Sequence, residues 1–219
     1  MGKIVKLLAK YYPVYLSGLW GTLWISAVTV LLGLVLGMLV ALMRMSRSKL
    51  LNAVSGVYIE VLRGTPILLQ LYFFWIGLPK LVPFELSDTQ CIVVALAVNA
   101  SAFISEIIRA GIAAVDKGQR EAARSIGLSE THVMTHVILP QAVKNILPAL
   151  CNEFISTVKG TSLASVFFVG ELMTSFKTVQ SATFLALQSL TIVGVIYFIL
   201  NFVLSRLLKI LERRLMVSD

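Results

Sequence analysis

The sequence contains long stretches without a formally charged side chain. Residues 11–43 and 178–205 hold no Asp, Glu, Lys or Arg, and shorter uncharged runs cover residues 64–79, 89–105 and 160–170. An α-helix needs about 20 apolar residues to cross the hydrocarbon core of a bilayer. Strict alternation of apolar and polar residues over ten-residue segments, typical of membrane barrels, is absent. The runs therefore predict an all-α, polytopic membrane protein.

Five transmembrane helices are predicted, in one domain that covers residues 1–219. They lie at roughly 15–43, 53–79, 88–114, 145–170 and 180–207, and three of them reach spanning length only by including charged residues. Before the first span, residues 3–12 predict a short amphipathic helix with three lysines on one side, which suits the membrane interface. The first apolar run is too long for a signal peptide and no A-x-A cleavage site follows it, so we expect a retained span.

Charge supports a membrane location and predicts an orientation. Only 14% of the residues are charged, whereas a soluble domain carries about 25%, which excludes a disordered chain and argues against a soluble enzyme. If the N-terminus lies outside, the cytoplasmic segments hold Arg44, Arg47, Lys49, Arg109, Lys117, Arg120, Arg124, Lys144, Arg206, Lys209, Arg213 and Arg214, and the outer segments hold Lys3, Lys6, Lys10, Lys80 and Lys177. The excess predicts an N-out/C-in protein. The net charge of +8 then needs no nucleic-acid partner, because these loops face anionic membrane lipid.

One long loop separates the third and fourth predicted spans, at residues 115–144. Gly118 precedes a run of good helix formers, Gly127 is typical of a helix stop, and Ser129 suits an N-cap. Pro140 suits the first turn of the next helix. The loop therefore predicts two short helices joined by a tight turn, and an insert of this length in a compact chain favours a function.

Several motifs resemble those of a known family. Glu121-Ala122-Ala123, followed by Gly127 and then Leu139-Pro140, resembles the EAA motif of bacterial ABC-transporter permease subunits. The similarity extends over essentially the whole chain and includes Glu60, Arg63-Gly64-Thr65-Pro66, Gln70, Ser105-Glu106, Arg109, Gly111, Gly118-Gln119 and Lys159-Gly160-Thr161-Ser162-Leu163. With these segments the chain resembles permeases of the histidine, arginine and glutamine uptake group.

The resemblance implies an ATP-driven importer of a polar L-amino acid, basic amino acids included, in the bacterial cytoplasmic membrane. Such permeases pair with a second copy or a paralogue, bind two cytoplasmic ATPase subunits through the EAA loop, and receive the amino acid from an extracytoplasmic binding protein. The residues implied in ATPase coupling are Gly118, Glu121, Ala122, Ala123, Gly127, Leu139 and Pro140. ATP and Mg²⁺ would be bound by the partner ATPase, and the chain itself has no G-x-x-x-x-G-K-[ST] phosphate loop, so we expect no cofactor on it and no enzymatic activity.

The fourth predicted span carries the most polar residues. Asn152, Ser156 and Lys159, together with Glu153, form a broad stripe at helical spacing. A charged residue at the bilayer centre costs at least about 2.5–3.5 kcal/mol and faces protein, water or a transport pathway. We expect Lys159 to meet a substrate carboxylate and Glu153 an ammonium or cationic side chain, with a helix break near Thr161 that offers backbone groups. The candidates for the substrate pathway in this span are therefore Asn152, Glu153, Ser156, Lys159 and Thr161. A structural link between Glu153 and Lys159 is less favoured, because residues six apart are not helical neighbours.

The second predicted span places Glu60, Arg63 and Gln70 on one helix face, with Pro66 as a possible kink. We interpret Glu60 and Arg63 as a structural ion pair near the cytoplasmic end, and Gln70 as a candidate for the substrate pathway.

The third predicted span carries a second expected ion pair, Glu106 with Arg109, which would brace the long loop. Asn99 lies near its middle and has two readings that the sequence leaves open. Its amide either forms a hydrogen bond between helices or contacts the substrate.

Two rival functions are less well supported. An ion-coupled transporter or channel would use the same buried charges, but it would not need the 115–144 loop and would usually show an internal repeat, which we do not find. An intramembrane enzyme would need a nucleophile with a base, or a metal cluster. His132 and His136 have a spacing that can hold a metal, but no third ligand is evident and we predict no metal site.

Overall fold

The computed structural model describes the backbone of residues 2–216 and the side chains of residues 2–210 and 212. The single domain predicted over 1–219 therefore extends past the described residues at both ends. The regular structure of the described part is helical throughout: α1 (Gly2–Arg44), α2 (Lys49–Gly64), α3 (Ile67–Leu81), α4 (Asp88–Ala113), α5 (Lys117–Ser125), α6 (Glu130–His132), α7 (Leu139–Gly160), α8 (Leu172–Thr183) and α9 (Ala186–Met216). A π-helical turn, Val133–Ile138, joins α6 to α7, and a 3₁₀ segment, Thr161–Phe167, follows α7.

α1 combines the predicted interfacial helix with the first predicted span. The backbone departs from helical geometry only at Tyr11, with φ −113° and ψ 15°, two residues before Pro13. A proline ring crowds the preceding turn of a helix, which accounts for a kink at this place. The residues before the kink are not isolated at a surface, because Leu7 is buried with Tyr15 and Leu172.

α1 and α4 run parallel and touch through small residues. A Cβ added to Gly33 would lie 3.1 Å from the Cβ of Ala100, and one added to Gly37 would lie 2.8 Å from Cγ2 of Ile104. The contacts advance in the same direction along both helices, and Ala41 continues the series in a cluster that includes Ile104. Because the two helices are parallel, the chain between them must return along their length.

The second span is not the single helix that residues 53–79 predict. α2 ends at Gly64, α3 begins at Ile67, and the two helices are bent by 110°. Pro66 has no N–H to donate to the carbonyl of Leu62, and it favours extended backbone at Thr65, where φ is −115° and ψ is 148°. The prediction that Glu60, Arg63 and Gln70 share one helix face is therefore wrong.

α4 closely matches the third predicted span, 88–114. Its start at Asp88 is fixed by a capping box, in which Ser87 Oγ accepts the Gln90 N–H at 3.3 Å and Gln90 Oε1 accepts the Ser87 N–H at 2.8 Å. Asp88 also places a negative charge in the first turn, where the helix dipole favours it.

The fourth predicted span, 145–170, is interrupted. The α-helix ends at Gly160 and continues as a 3₁₀ segment, so the expected break at Thr161 is confirmed. α7 runs antiparallel to α4, because Ile146 packs against Gly111 near the end of α4 whereas Ala164 packs with Ile92 near its start.

α8 holds the beginning of the fifth predicted span, 180–207, and the long helix itself starts later, at Ala186. Phe184, in the left-handed conformation with φ 58°, separates the two helices. α9 runs parallel to α1. Near the start of both, Tyr15 Oη lies 2.8 Å from Ser189 Oγ. Further along both helices, Thr22 of α1 accepts the Leu172 N–H and Tyr197 of α9 donates to the adjacent Glu171.

Glu171 ties α8 to its neighbours and was not singled out by the sequence. Its carboxylate is fully buried and accepts hydrogen bonds from the N–H groups of Met173 at 2.7 Å and Thr174 at 2.6 Å, at the start of α8. The Tyr197 hydroxyl of α9 donates to the same carboxylate at 3.0 Å. A buried carboxylate needs such donors, so Glu171 serves as the N-cap of α8 and as a link to α9.

Among the described residues, three helices have the length and apolar composition of a membrane span: α1, α4 and residues 186–210 of α9. The bent pair α2–α3 makes a fourth if it is taken as one broken span. α7, which carries Lys144, Glu153 and Lys159, is not among them. Composition and length alone thus support three or four spans, where the sequence predicted five.

Gly21→Ala is expected to destabilise the fold by about 1–3 kcal/mol, because the added Cβ would lie 2.0 Å from the Gly170 carbonyl oxygen, in backbone that cannot yield easily. The matched control is Gly77→Ala in α3, where nothing lies within 4 Å of the added Cβ. Thermal unfolding of the detergent-solubilised variants measures the difference. Equal stability of the two variants would contradict the close packing of α1 on the segment before α8.

Candidate functional site

A cavity of about 370 Å³ opens between the α2–α3 break, the middle of α4 and the second half of α7. Its lining combines apolar side chains with a few polar and charged ones: Leu62, Arg63, Thr65, Ile67, Leu96, Asn99, Ala100, Phe103, Glu153, Ser156, Thr157 and Gly160. This volume and this mixture are typical of a small-molecule site. We call it the central cavity.

The helix break forms one wall of the central cavity and is held by Gln70. The buried Gln70 side chain donates from Nε2 to the Leu62 carbonyl at 2.8 Å and to Thr65 Oγ1 at 2.8 Å. The Leu62 carbonyl is the group that Pro66 leaves without its helical donor, so Gln70 replaces a missing backbone hydrogen bond. Gln70, expected in the substrate pathway, lies behind the wall and does not line the cavity.

Asn99 forms the hydrogen bond between helices that was one of its two predicted roles, and it also faces the central cavity. Its Nδ2 donates to Gln70 Oε1 at 2.9 Å, which is a hydrogen bond between α4 and α3. The residue also lines the central cavity. Asn99 therefore connects the structural support of the break to the surface that a bound molecule would meet.

Charges of both signs line the central cavity. Glu153 of α7 is half-buried and forms no ion pair with any residue whose side chain the structure describes. The cation in the same cavity is Arg63, whose guanidinium lies over the Phe103 ring at 5.4 Å and 3.8 Å from Glu106 Oε2. Ser156 adds a hydroxyl between these groups and the end of α7.

Lys159 does not line the central cavity. It lies exposed at a separate cavity of about 650 Å³, together with Met173, Tyr197 and Asn201. Residues six positions apart on an α-helix differ in direction by about 120°, so Glu153 and Lys159 point to different sides of α7. The expectation that they receive the two ends of one molecule is therefore wrong.

Two further candidates for the substrate pathway, Asn152 and Thr161, also lie outside the central cavity. Asn152 is exposed and lines neither of the two cavities beside α7. Thr161 is fully buried and donates its hydroxyl to the Val158 carbonyl at 2.8 Å, so it supports the transition to the 3₁₀ segment. The structure thus brings together Asn99, Glu153 and Ser156, and adds Arg63 to them.

Of the two expected ion pairs, the one between Glu106 and Arg109 forms, whereas Arg63 has a different partner from the one expected. Glu106 and Arg109 form the expected contact, with Arg109 Nε 2.9 Å from Oε1 and Nη2 2.8 Å from Oε2. Arg63 contacts the same carboxylate, and the expected pair of Arg63 with Glu60 is absent among the described side chains. Glu60 and Arg63 both lie within α2, and the acidic partner of Arg63 comes instead from α4.

The long loop has the helix–turn–helix form that the sequence predicts. Asp116 caps α5 by accepting the Gly118 N–H at 2.6 Å, and Gly127 ends it with a φ of +87°, in the region that glycine reaches most easily. Ser129 then caps α6 by accepting the His132 N–H. Pro140 lies in the first turn of α7.

The surface of α5 has one exposed side and one packed side. Glu121 and Ala122 are exposed, whereas Ala123 is buried in a cluster with Val133 and Ile138. Ile126 follows α5 and is 79% exposed, which the motif did not indicate. Glu121, Ala122 and Ile126 all belong to the exposed surface of this segment, and we call these three residues the α5 tip.

An ion pair closes the turn after α5. Arg124 and Glu130 are in contact across Gly127. The Arg124 guanidinium holds the pKa of Glu130 below its ordinary value, mainly through this hydrogen bond. Both groups lie at the protein surface, where such a pair adds little to stability.

The two histidines of the loop lie side by side. Their rings are stacked with centroids 5.4 Å apart, and each Nδ1 lies 2.8 Å from a hydroxyl, of Ser129 for His132 and of Thr135 for His136. Within the described residues no group of three or more His, Cys, Asp or Glu side chains could hold a metal ion.

Comparisons with known proteins agree with this architecture. The chain is 40% identical to the arginine transport system permease protein ArtQ of Bacillus subtilis (strain 168), over 94% of both chains. It is 37% identical to the glutamine transport system permease protein GlnP of Escherichia coli (strain K12), again over 94% of both.

Solved structures give the same result. A crystal structure of an amino acid ABC transporter with histidines matches with a TM-score of 0.90 and 43% identity, over 94% of this chain and 96% of the other. The methionine ABC transporter MetNI, in an inward facing conformation, shares the fold with a TM-score of 0.77 at 20% identity.

The match to a family model covers most of the chain. Residues 33–217 match the model of the binding-protein-dependent transport system inner membrane component. The chain belongs to this family, the permease subunits of ABC importers.

Proposed function

We propose that the chain is the permease subunit of an ATP-driven importer that moves a polar L-amino acid across the bacterial cytoplasmic membrane. The observation that carries this proposal is the central cavity, which holds one carboxylate and one guanidinium beside the middle of α4. A free amino acid carries both a carboxylate and an ammonium group, and each needs a partner of opposite charge where water is scarce. The similarity to permeases named for arginine and glutamine supports the same class of substrate.

Glu153 and Arg63 would bind groups of opposite charge on the substrate. Glu153 lacks an ion-pair partner among the described side chains, so it can receive the ammonium or a cationic side chain. Arg63 is already near Glu106, but an arginine has donors for more than one acceptor, which leaves it able to contact a carboxylate. Asn99 and Ser156 would supply neutral hydrogen bonds between them.

Glu153→Gln is expected to weaken transport of arginine by about tenfold or more and that of glutamine by less than about threefold, because a hydrogen bond to a charged group is worth about 1.5–3 kcal/mol. Competitive uptake of the two radiolabelled amino acids measures the ratio. Glu60→Gln is the matched control, since Glu60 does not line the central cavity. An equal loss for both substrates would assign Glu153 to the α-ammonium that both share, and no loss would show that Glu153 does not contact the substrate.

The fold supports five passes with alternating direction. α1 and α4 are parallel, so the bent pair α2–α3 must return between them. α7 is antiparallel to α4. α8 continues in the direction of α7 and reaches Val14, near the start of α1, where Ser175 Oγ donates to the Val14 carbonyl at 2.9 Å. α9 then runs parallel to α1. We therefore infer that α7, the 3₁₀ segment and α8 together form the fourth pass.

The positive charge of the loops favours an N-out/C-in orientation for these passes. The 45–48 and 114–138 segments would face the cytoplasm and the 82–87 segment the outside. Arg213 and Arg214, which contribute to this charge count, have side chains outside those described.

Single cysteines introduced into a Cys91→Ala, Cys151→Ala background test the orientation. A membrane-impermeant maleimide added to intact spheroplasts is expected to label Lys80→Cys and to leave Ser125→Cys unlabelled, because the exposed side chains at the two positions would lie on opposite sides. Permeabilised cells provide the control, in which both should react. Labelling of Ser125→Cys alone in intact spheroplasts would contradict the orientation.

The α5 tip would dock on the ATPase subunit. It is an exposed surface on a helix whose start is capped by Asp116 and which is followed by Gly127 in the left-handed conformation, so both ends of the helix are defined. In this proposal the ATPase binds ATP and Mg²⁺, a second permease copy or a paralogue completes the membrane part, and an extracytoplasmic binding protein delivers the amino acid.

Gly127→Val is expected to abolish ATPase association or transport while membrane insertion stays normal, because a β-branched residue is strained at a φ of +87°. Gly127→Asn is the matched control of similar size, and it should keep most of the activity since Asn tolerates this conformation. Co-purification with the ATPase and amino-acid uptake are the two readouts. Full association and uptake with Gly127→Val would contradict the coupling role.

A further inference from the structure

A smaller cavity of about 280 Å³ lies where α4 ends and α5 begins. Three cations line it, Arg109, Lys117 and Arg120. Its acidic lining residue is Asp116. The rest of the lining is mainly apolar and includes Val115. We call it the basal cavity, and none of its lining residues belongs to the central cavity.

The charges in the basal cavity are unequally satisfied. Arg109 is engaged by Glu106 through two hydrogen bonds, and Asp116 Oδ1 accepts the Gly118 N–H at 2.6 Å. Lys117 and Arg120 form no ion pair within 4.0 Å with any of the described side chains. Two positive charges thus face the cavity with one acidic group beside them.

Arg120 provides the more specific observation. Its Nε is buried and has no hydrogen-bond partner in the described part of the chain. A buried donor without an acceptor is costly, which is why such groups are nearly always paired in folded proteins. An acceptor from outside the chain would remove this cost.

We propose that the basal cavity binds a phosphate-type anion between Lys117 and Arg120. A guanidinium presents a planar set of donors that matches phosphate oxygens, and a lysine adds a positive charge beside it. The apolar part of the lining, with Met45 and Ile138, suits the glycerol region of a phospholipid better than a freely hydrated ion. Basic pockets between helices at the cytoplasmic end of membrane proteins are sites of this kind for anionic lipid headgroups.

The position of the site gives it a consequence for the loop. Arg120 directly precedes Glu121 of the α5 tip, and Lys117 is the first residue of α5. An anion held by both would fix the start of α5 against the end of α4. This inference does not depend on which molecule the central cavity accepts.

Binding to the purified full-length chain in a zwitterionic detergent tests the proposal. The probes are phosphatidylglycerol, phosphatidylcholine and inorganic phosphate, and native mass spectrometry measures the bound fraction of each. Lys117→Gln and Arg120→Gln remove the two cations. Lys49→Gln and Arg47→Gln are the matched controls, because Lys49 is the exposed first residue of α2, as Lys117 is of α5, and neither control lines the cavity.

We expect phosphatidylglycerol to bind in preference to phosphatidylcholine, with each cavity variant about fivefold weaker and each control changed by less than about twofold. Inorganic phosphate that binds and is lost in the same two variants would identify a free anion as the ligand and still support the site. A similar loss in the controls, or no loss in Lys117→Gln and Arg120→Gln, would overturn the proposal. Lys117 is exposed, so its variant remains informative if Arg120→Gln does not fold.

Discussion

α1 and α4 lie parallel with their backbones close together, because glycine and alanine face each other along the contact. Small residues allow such approach, which is how helices gain contact where lipid offers no hydrophobic advantage. Because α1 and α4 point in the same direction, the chain between them must run back along their length. The bent pair α2–α3 makes that return, α7 lies antiparallel to α4, and the central cavity opens where these helices meet.

The segment that runs back, α2–α3, is interrupted between its two helices, and this interruption forms one wall of the central cavity. Backbone groups in a membrane need partners within the protein, and Pro66 removes one of them. Gln70 supplies the missing donor and is held in turn by Asn99, so the polar residues at the break first satisfy the fold. Arg63, near the end of α2, lines the cavity and lies near Glu106 of α4. Glu153 faces the same space from α7.

The sequence predicted the helical class, the third span and the helix–turn–helix of the long loop, because charge-free runs, Gly127 and Ser129 act locally. It also predicted the break at Thr161. It did not predict the 110° bend between α2 and α3, since a proline specifies an interruption and only packing decides the angle. Arg63 was assigned to Glu60, its neighbour within α2, because contacts between helices such as that with Glu106 cannot be read from helical spacing. Lys159 and Glu153 were assigned to one substrate, although α7 directs them to different cavities. No sequence pattern indicated that Ile126 would be exposed or that Glu171 would be buried, because both properties arise only when the helices pack together.

ATP hydrolysis in proteoliposomes tests the central claim most directly, that this chain couples a partner ATPase to the binding of a polar amino acid. The chain would be reconstituted with the ATPase encoded beside it and the cognate binding protein, and arginine, lysine, histidine, glutamine and glutamate would be compared. We expect that one class of these amino acids stimulates hydrolysis and accumulates inside or outside according to the orientation of the complex. A chain that binds no ATPase, or hydrolysis that no amino acid changes, would contradict it.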